Sequence, residues 1–205
     1  MVDRVGGTFH ILCICTGNIC RSPVAERLLA TRLDQTVSVS SAGTHGLAGR
    51  TLEAPMVRYL SGMGVGSEAF LARRLDPTLL WGADLVLGMT REHRGAAVEL
   101  HPAGVRSAFT LLEFSRLLGD IAPGELPAGT AADRLRAAVP LAARRRRGWP
   151  GNADDVVDPF GLTKDVFESA FRSIRLAVDL IGDRIAGQGV SPAGVQGGRP
   201  PCSDY

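Results

Sequence analysis

The sequence has few lysines, few aromatic side chains and no long apolar run. Lys164 is the only lysine among 205 residues, so arginine carries almost all of the positive charge. The formal net charge is only +2, which gives no overall electrostatic reason to expect a nucleic-acid partner. No apolar stretch approaches the roughly 20 residues that a membrane-spanning helix needs. We therefore expect neither a nucleic-acid partner nor a membrane span.

Dispersed cysteine pairs are also missing. Cys13, Cys15 and Cys20 are clustered, and Cys202 lies in a polar tail. Secreted proteins held by disulfides usually show an even, dispersed cysteine pattern, so this arrangement favours a reducing compartment. The N-terminal residues include a short apolar run but no small-residue cleavage site after it. The expected location is the cytoplasm.

Short apolar runs alternate with amphipathic segments along most of the chain. Strands are predicted at 9–15, 37–44, 83–90 and 105–111, and helices at 23–33, 53–64, 91–100, 112–118 and 160–185. Strands that alternate with helices indicate βαβ units. The predicted fold is therefore α/β, with a central four-stranded parallel sheet and helices on both of its faces.

Three segments do not fit this alternation. Residues 119–157 contain an Ala/Leu/Arg-rich stretch between loops rich in proline and glycine, and they predict an insertion with a surface helix. Residues 1–8 are a short N-terminal extension, and residues 187–205 are rich in Gly, Pro and Ser, which is typical of a disordered tail. The interpretation is one domain at 9–186.

The segment CICTGNICRSP, residues 13–23, holds the cysteine cluster. Zinc and iron–sulfur sites need four ligands, usually from C-x2-C pairs, whereas here the spacing is C-x-C-x4-C and no second pair follows. We therefore expect no metal. Cys13, in the middle of a predicted strand, is interpreted as a small buried hydrophobic residue.

Cys15 differs because it ends a strand, and Arg21 follows where a helix begins. Gly17 and Asn18 tolerate unusual backbone angles, so the turn between Cys15 and Arg21 can aim successive N–H groups at one anion. The helix N-terminus adds partial positive charge, and the arginine offers a planar fork to two oxygens. The same donors would stabilise a thiolate at the base of this cradle. The segment thus predicts an oxyanion pocket with Cys15 as its nucleophile.

The nine residues CTGNICRSP resemble the phosphate-binding loop of the low-molecular-weight protein tyrosine phosphatases of the bacterial type, C-x-G-N-x-C-R-S-P. Further matches are SAGT at 41–44, ADLVLGMTREHR at 83–94 and DPFG at 158–161. The resemblance covers most of 8–118 and 157–185. It implies a phosphatase without a cofactor that hydrolyses phosphate monoesters, above all protein phosphotyrosine, through a cysteinyl-phosphate intermediate.

The resemblance also implies residue roles. Cys15 attacks phosphorus, Arg21 neutralises the transferring oxygens, and Asp158 acts as the acid and then as the base. The phosphate-binding loop comprises Thr16, Gly17, Asn18, Ile19, Cys20 and Arg21. Ser22 is expected to cap the helix and to donate to the Cys15 sulfur, and Ser41 to bond Asn18. For Cys20, simple burial and a reversible disulfide with Cys15 both remain open.

The expected pocket walls are Ile19, His45, Leu47 and Phe160. His45 and Leu47 stand where the family usually offers an aromatic side chain. Ile19 favours phosphotyrosine, because the family's phosphoarginine branch has a smaller threonine there. Asp154 and Asp155 are interpreted as solvated loop residues or as helpers that keep the local potential acidic. The arginines at 144–147 are interpreted as a solvated helix end, with a patch for an anionic partner as the alternative.

Three alternative functions remain. A protein arginine phosphatase of the same family is the first. An arsenate reductase would need two resolving cysteines in mid-chain, and none lies between Cys20 and Cys202. A non-catalytic oxyanion-binding module would not need both Cys15 and Asp158. The expected partners are a phosphorylated protein and a cognate tyrosine kinase, and the expected state is a monomer or weak dimer.

Overall fold

The computed structural model describes residues 7–146 and 154–186. Four strands form one parallel sheet in the order β2-β1-β3-β4: β1 (Phe9–Cys15), β2 (Val37–Gly43), β3 (Leu85–Gly88) and β4 (Ala108–Thr110). The helices are α1 (Arg21–Arg32), α2 (Ala54–Ser61), α3 (Pro77–Trp81), α4 (Arg91–Leu100), α5 (Leu111–Gly119), α6 (Ala131–Arg145) and α7 (Lys164–Ile185). The predicted α/β fold is confirmed.

Strand β1 is buried on both faces because helices cover both sides of the sheet. Side chains of a strand alternate between faces, and the two sets enter different apolar clusters. Phe9, Ile11, Cys13 and Cys15 join the larger cluster, with residues of α1, α2, α5, α6 and α7. Leu12 and Ile14 join the smaller cluster, with residues of α3 and α4. This double burial explains the nearly continuous apolar run.

Helices α4, α5 and α6 begin at threonine caps that the sequence supplies. Thr90 caps α4 by accepting from His93 N–H, and Thr110 forms a reciprocal capping box with Glu113 on α5. Thr130 does the same on α6 with Asp133. Because β3 and β4 each end just before a capped helix, the carboxyl edge of the sheet is where loops and helix N-termini meet.

Several predicted boundaries differ from the structure. Strand β3 is four residues long. Strand β4 has only three residues, because Pro102–Arg106 forms a 3-10 helix before it. Helix α7 begins at Lys164, after a turn at 160–163. The short helix α3, whose cap is Asp76, was not predicted. Among the described residues, no helix combines the length and apolarity required to cross a bilayer.

The inserted helix α6 is not simply a surface helix. Its buried face consists of small and aliphatic side chains, namely Ala131, Ala132, Leu135, Ala138, Val139 and Ala142. Its N-terminus is also tied to the loop between α1 and β2, because Ala131 N–H donates to Asp34 at 3.0 Å and Ala132 N–H to Thr36 at 3.1 Å. The alanines allow close packing, so the insertion contributes to the core.

Two arginines at the end of α6 are paired and not simply solvated, whereas Arg144 is exposed as predicted. Arg145 pairs with Glu125, and Arg146 pairs with buried Glu113 at 2.9 Å. The Arg146 guanidinium also lies 4.2 Å above the Phe109 ring, and it donates to Ala108 O. The insertion is thereby clamped onto β4 and α5. Parts of three predicted segments lie outside the described residues: residues 1–6 of the N-terminal extension, residues 147–153 of the insertion, and the whole tail at 187–205.

Candidate active site

The loop between β1 and α1 depends on a left-handed turn at Asn18. Asn18 has φ +56°, and its side chain is fully buried. The side-chain amide donates to Ser22 Oγ at 3.0 Å and to Ser41 Oγ at 2.8 Å, and its Oδ1 accepts from the Arg73 N–H at 2.9 Å. Asparagine tolerates this backbone region, and the three bonds hold the turn against β2 and residue 73.

Gly43, at the end of β2, allows the loop to approach the strand closely. A Cβ atom at this position would lie 2.4 Å from the Thr16 carbonyl oxygen, a backbone atom that cannot swing away. The Thr44 N–H donates to Cys15 O at 2.9 Å and the His45 N–H to Thr16 O at 3.0 Å. The SAGT motif therefore packs its backbone directly against the loop.

Cys15 lies at the floor of the loop, almost fully buried. Its Sγ accepts from the Asn18 N–H at 3.3 Å and lies 3.0 Å from Ser22 Oγ. Because Ser22 already accepts from Asn18, its own proton can point at the sulfur. The N-cap position of α1 is Cys20, without a side-chain cap, so the predicted capping role of Ser22 is wrong. The hydroxyl is engaged with Cys15 instead.

The other two clustered cysteines are held as neutral thiols. Burial, reinforced by the negative charge of Glu53, raises the pKa of Cys20 to about 12. Burial also raises the pKa of Cys13 well above its usual value. Cys13, Cys15 and Cys20 are all free of disulfides. Only the Cys15 sulfur has the donors around it that a thiolate needs.

Arg21 joins the loop to the segment that carries Asp158. Its guanidinium is buried, and Nη2 lies 2.5 Å from Asp158 Oδ2, while Nη1 donates to Val156 O at 3.2 Å. Nη2 also approaches Thr16 Oγ1 at 3.5 Å. Within the described residues, Nε of Arg21 is buried and has no hydrogen-bond partner. Such a donor at the edge of a cavity fits an oxyanion.

Two aspartates anchor the segment before Asp158, contrary to the expectation that they are solvated. Asp154 is largely buried and pairs with Arg116 at 3.1 Å. Asp155 accepts from the Arg91 N–H at 2.8 Å, at the first turn of α4, where a negative charge is favoured. The Val156 N–H then donates to Met89 O at 2.8 Å. Asp158 itself stays half exposed above the loop.

His93 is a site residue that the sequence analysis missed. Its ring is buried, with Nε2 3.0 Å from Thr16 Oγ1 and Nδ1 2.8 Å from Thr90 Oγ1. Burial, with Arg21 nearby, lowers its pKa to about 4, so the ring is neutral. The available signal was its place just after a strand, at the carboxyl edge where α/β proteins bind ligands.

Glu26 and Arg73 are further contacts that spacing did not reveal. Ser41 Oγ donates to Glu26 at 2.6 Å, and Arg73 Nε donates to Ser41 O at 2.8 Å. Ser41 is thus held from both sides while it accepts from Asn18. The predicted contact between Asn18 and Ser41 is present, but the Asn18 side chain faces these partners and not the cavity.

The loop surrounds a cavity of about 230 Å³ that opens toward solvent. Its lining brings together the predicted nucleophile, cation, acid and pocket walls: Cys15, Thr16, Gly17, Ile19, Cys20, Arg21, His45, Leu47, Asp158 and Phe160. Phe160 and Leu47 are exposed at its rim, whereas Ile19 is buried in its wall. In the described part of the chain, no group of three or more His, Cys, Asp and Glu side chains is placed to hold a metal ion.

Comparison with known proteins gives consistent relatives. A family profile described as low molecular weight phosphotyrosine protein phosphatase matches residues 10–120. Low molecular weight protein-tyrosine-phosphatase Etp of Escherichia coli K12 is 41% identical over 92 residues, which are 45% of this chain and 62% of Etp. The chain therefore spans less than two thirds of Etp. The phosphatase Wzb of Salmonella typhi is 32% identical over 142 residues, 68% of this chain and 90% of Wzb.

Solved structures agree on the fold. The YwlE arginine phosphatase from Geobacillus stearothermophilus superposes with a TM-score of 0.65 at 25% identity, over 87% of this chain and 93% of that chain. The Erwinia amylovora tyrosine phosphatase amsI has a TM-score of 0.65 at 19% identity, over 91% of this chain and 99% of that chain, which bears on the fold alone.

Proposed function

The chain belongs to the low-molecular-weight protein-tyrosine-phosphatase family, and from that membership we propose that it hydrolyses phosphate monoesters, with protein phosphotyrosine as its main substrate. One observation carries the proposal. The hydrogen-bonded sulfur of Cys15 lies at the floor of a cavity whose lining also holds Arg21 and Asp158. Nucleophile, cation and acid are the three groups that hydrolysis of a phosphate monoester requires.

The first step forms a covalent intermediate. The substrate phosphate replaces Asp158 as the partner of the Arg21 guanidinium and accepts from Nη2 and from the unpartnered Nε. The loop N–H groups donate to its other oxygens. The Cys15 thiolate forms the S–P bond as the P–O bond to the leaving group breaks. Asp158, released from Arg21 and then protonated from solvent, transfers this proton to the leaving oxygen. The products are a tyrosine side chain and cysteinyl-phosphate.

The second step restores the enzyme. The Asp158 carboxylate takes a proton from a water molecule, whose oxygen attacks phosphorus while the S–P bond breaks. Ser22 stabilises the departing thiolate, because its hydroxyl lies 3.0 Å from Sγ and can donate to it while its oxygen accepts from Asn18. Inorganic phosphate then leaves the cavity, and Asp158 is again the protonated acid.

The experiment measures hydrolysis of p-nitrophenyl phosphate and of a phosphotyrosine peptide in reducing buffer. We expect no turnover by Cys15→Ser. Asp158→Asn should lose about 10²–10⁴-fold on the peptide and much less on p-nitrophenyl phosphate, whose leaving group needs little protonation. Asp165→Asn, an exposed aspartate of α7, is the matched control and should retain full activity. An inactive wild-type protein, or an active Cys15→Ser, would refute the proposal.

The cavity walls support an aryl substrate. Ile19, Leu47 and Phe160 offer apolar surface to a ring, and Ile19 lies inside the loop itself. One structural relative is named an arginine phosphatase, so phosphoarginine is the alternative. Phosphotyrosine, phosphoarginine and phosphoserine peptides compared on the wild type and on Ile19→Thr distinguish them. We expect phosphotyrosine to be preferred and Ile19→Thr to weaken that preference. Faster turnover of phosphoarginine by the wild type would reverse the assignment.

The surroundings of the site are part of the same proposal. We propose that residues 9–186 work as one phosphatase domain, supported by an apolar cluster that joins residues of β1, α1, α6 and α7. Because the Cys15 sulfur must remain reduced, a reducing compartment such as the cytoplasm suits the enzyme. A tyrosine kinase that supplies the phosphorylated protein is the expected counterpart. Cys20 could form a disulfide with Cys15 under oxidation.

A further inference from the structure

Thr16, the residue directly after the nucleophile, has a side chain that faces a buried partner. Thr16 is exposed on the cavity wall, but its Oγ1 lies 3.0 Å from Nε2 of His93. The same oxygen is approached by Arg21 Nη2 at 3.5 Å. The hydroxyl therefore stands between a histidine outside the loop and the cation of the phosphate site.

The His93 ring is held in a single orientation by the start of α4. Thr90, the N-cap residue, accepts from the His93 backbone N–H and contacts Nδ1 at 2.8 Å. Helix α4 follows β3 directly, and the Met89 N–H donates to Ile14 O at 2.8 Å beside the nucleophile strand. Both ring nitrogens are thus occupied, and the ring is fixed relative to Cys15 and its loop.

The charges that face His93 come from both sides of the cavity. Burial is the largest effect on the pKa of His93 and lowers it, Arg21 lowers it further, and Asp158 and Asp155 oppose them. A neutral imidazole has one donor and one acceptor nitrogen. These suit two threonine hydroxyls, so the ring can hold Thr16 without adding a cation beside Arg21.

We propose that His93 is a positioning residue that holds the Thr16 hydroxyl and, through it, keeps the Arg21 guanidinium aimed into the cavity. His93 does not touch the substrate, because Thr16 and not His93 lines the cavity. The inference deepens the proposed function and rests on it. Its consequence is that His93 influences phosphate affinity as well as turnover, since Arg21 contacts the phosphate in every bound state.

The experiment compares two substitutions that keep different halves of the ring. His93→Gln carries a polar atom near the Nε2 position and can still reach Thr16, whereas His93→Asn reaches only the Nδ1 position and Thr90. We expect His93→Asn to lower kcat/KM by about tenfold, with a higher KM and weaker inhibition by inorganic phosphate. His93→Gln should stay within about threefold of the wild type. Thr16→Val should lower kcat/KM as much as His93→Asn does. The double variant Thr16→Val/His93→Asn should lower it no further than either single change.

A purely structural role gives a different pattern. Loss of folded protein lowers the apparent kcat but leaves KM and phosphate inhibition unchanged. Equal losses in His93→Asn and His93→Gln, or additive losses in the double variant, would overturn the proposal. Protection of Cys15 from alkylation by inorganic phosphate needs no turnover, so it decides the question even if the wild type proves inactive. Stronger protection in His93→Gln than in His93→Asn supports positioning, and equal protection refutes it.

Discussion

Substitution of Asn18 tests whether the phosphate loop is held by its side-chain hydrogen bonds. Asn18→Ala removes three buried hydrogen bonds, to Ser22, Ser41 and the Arg73 N–H. At about 1 kcal/mol each, these bonds contribute about 3 kcal/mol to the free energy of unfolding. Alanine at φ +56° adds about 1 kcal/mol of backbone strain. The expected loss of stability is therefore about 4 kcal/mol.

Asn18→Gly is the matched control, because glycine adopts the left-handed conformation without strain. Its free energy of unfolding should fall by about 3 kcal/mol, so it should be about 1 kcal/mol more stable than Asn18→Ala. Urea unfolding followed by circular dichroism gives both free energies. In a protein of this size, the alanine variant should also melt roughly 10 °C lower than the wild type.

Turnover of p-nitrophenyl phosphate by the folded fraction completes the test. Both variants should be slower than the wild type by at least tenfold, because Ser22 loses the donor that directs its proton toward Cys15. A fall in the free energy of unfolding of less than 1 kcal/mol in both variants would refute the argument that these bonds hold the loop. Equal falls in the free energy of unfolding in Asn18→Ala and Asn18→Gly would refute only the role of the left-handed turn.

Three further predictions concern neighbouring features. His93 has a pKa of about 4 when folded and about 6.5 when unfolded, so the unfolded state binds more protons between these values. Stability should therefore fall as pH drops from 6.5 to 4, by at most about 3 kcal/mol, and His93→Gln should show a flatter dependence in urea unfolding across this range. Glu113→Gln leaves the Arg146 clamp without its buried counter-charge and should lower the free energy of unfolding by about 3 kcal/mol, whereas an unchanged urea midpoint would contradict the clamp. Gly43→Ala places a Cβ 2.4 Å from the Thr16 carbonyl and should abolish most activity while the fold survives in circular dichroism, and full activity would show that the loop can move aside.

The sequence predicted best what lies close together along the chain. Cys15 and Arg21 fall within one strand–loop–helix turn, so the local path of the chain brings both to the same cavity. The nearly continuous apolar run of β1 likewise indicated a strand covered on both faces. Ser22 shows the limit of this reasoning. Its position predicted a helix cap, but its hydroxyl meets the Cys15 sulfur and the Asn18 amide.

The sequence by itself thus determined the α/β class and predicted the proposed nucleophile, its loop and the segment that carries Asp158. Only the tertiary structure decided how His93, Asp154 and Arg146 act, because their partners Thr16, Arg116 and Glu113 lie 77, 38 and 33 positions away. Such pairings leave no period or spacing in the sequence. They arise where the parallel strands end at one edge of the sheet, and packing there decides which polar groups are buried together.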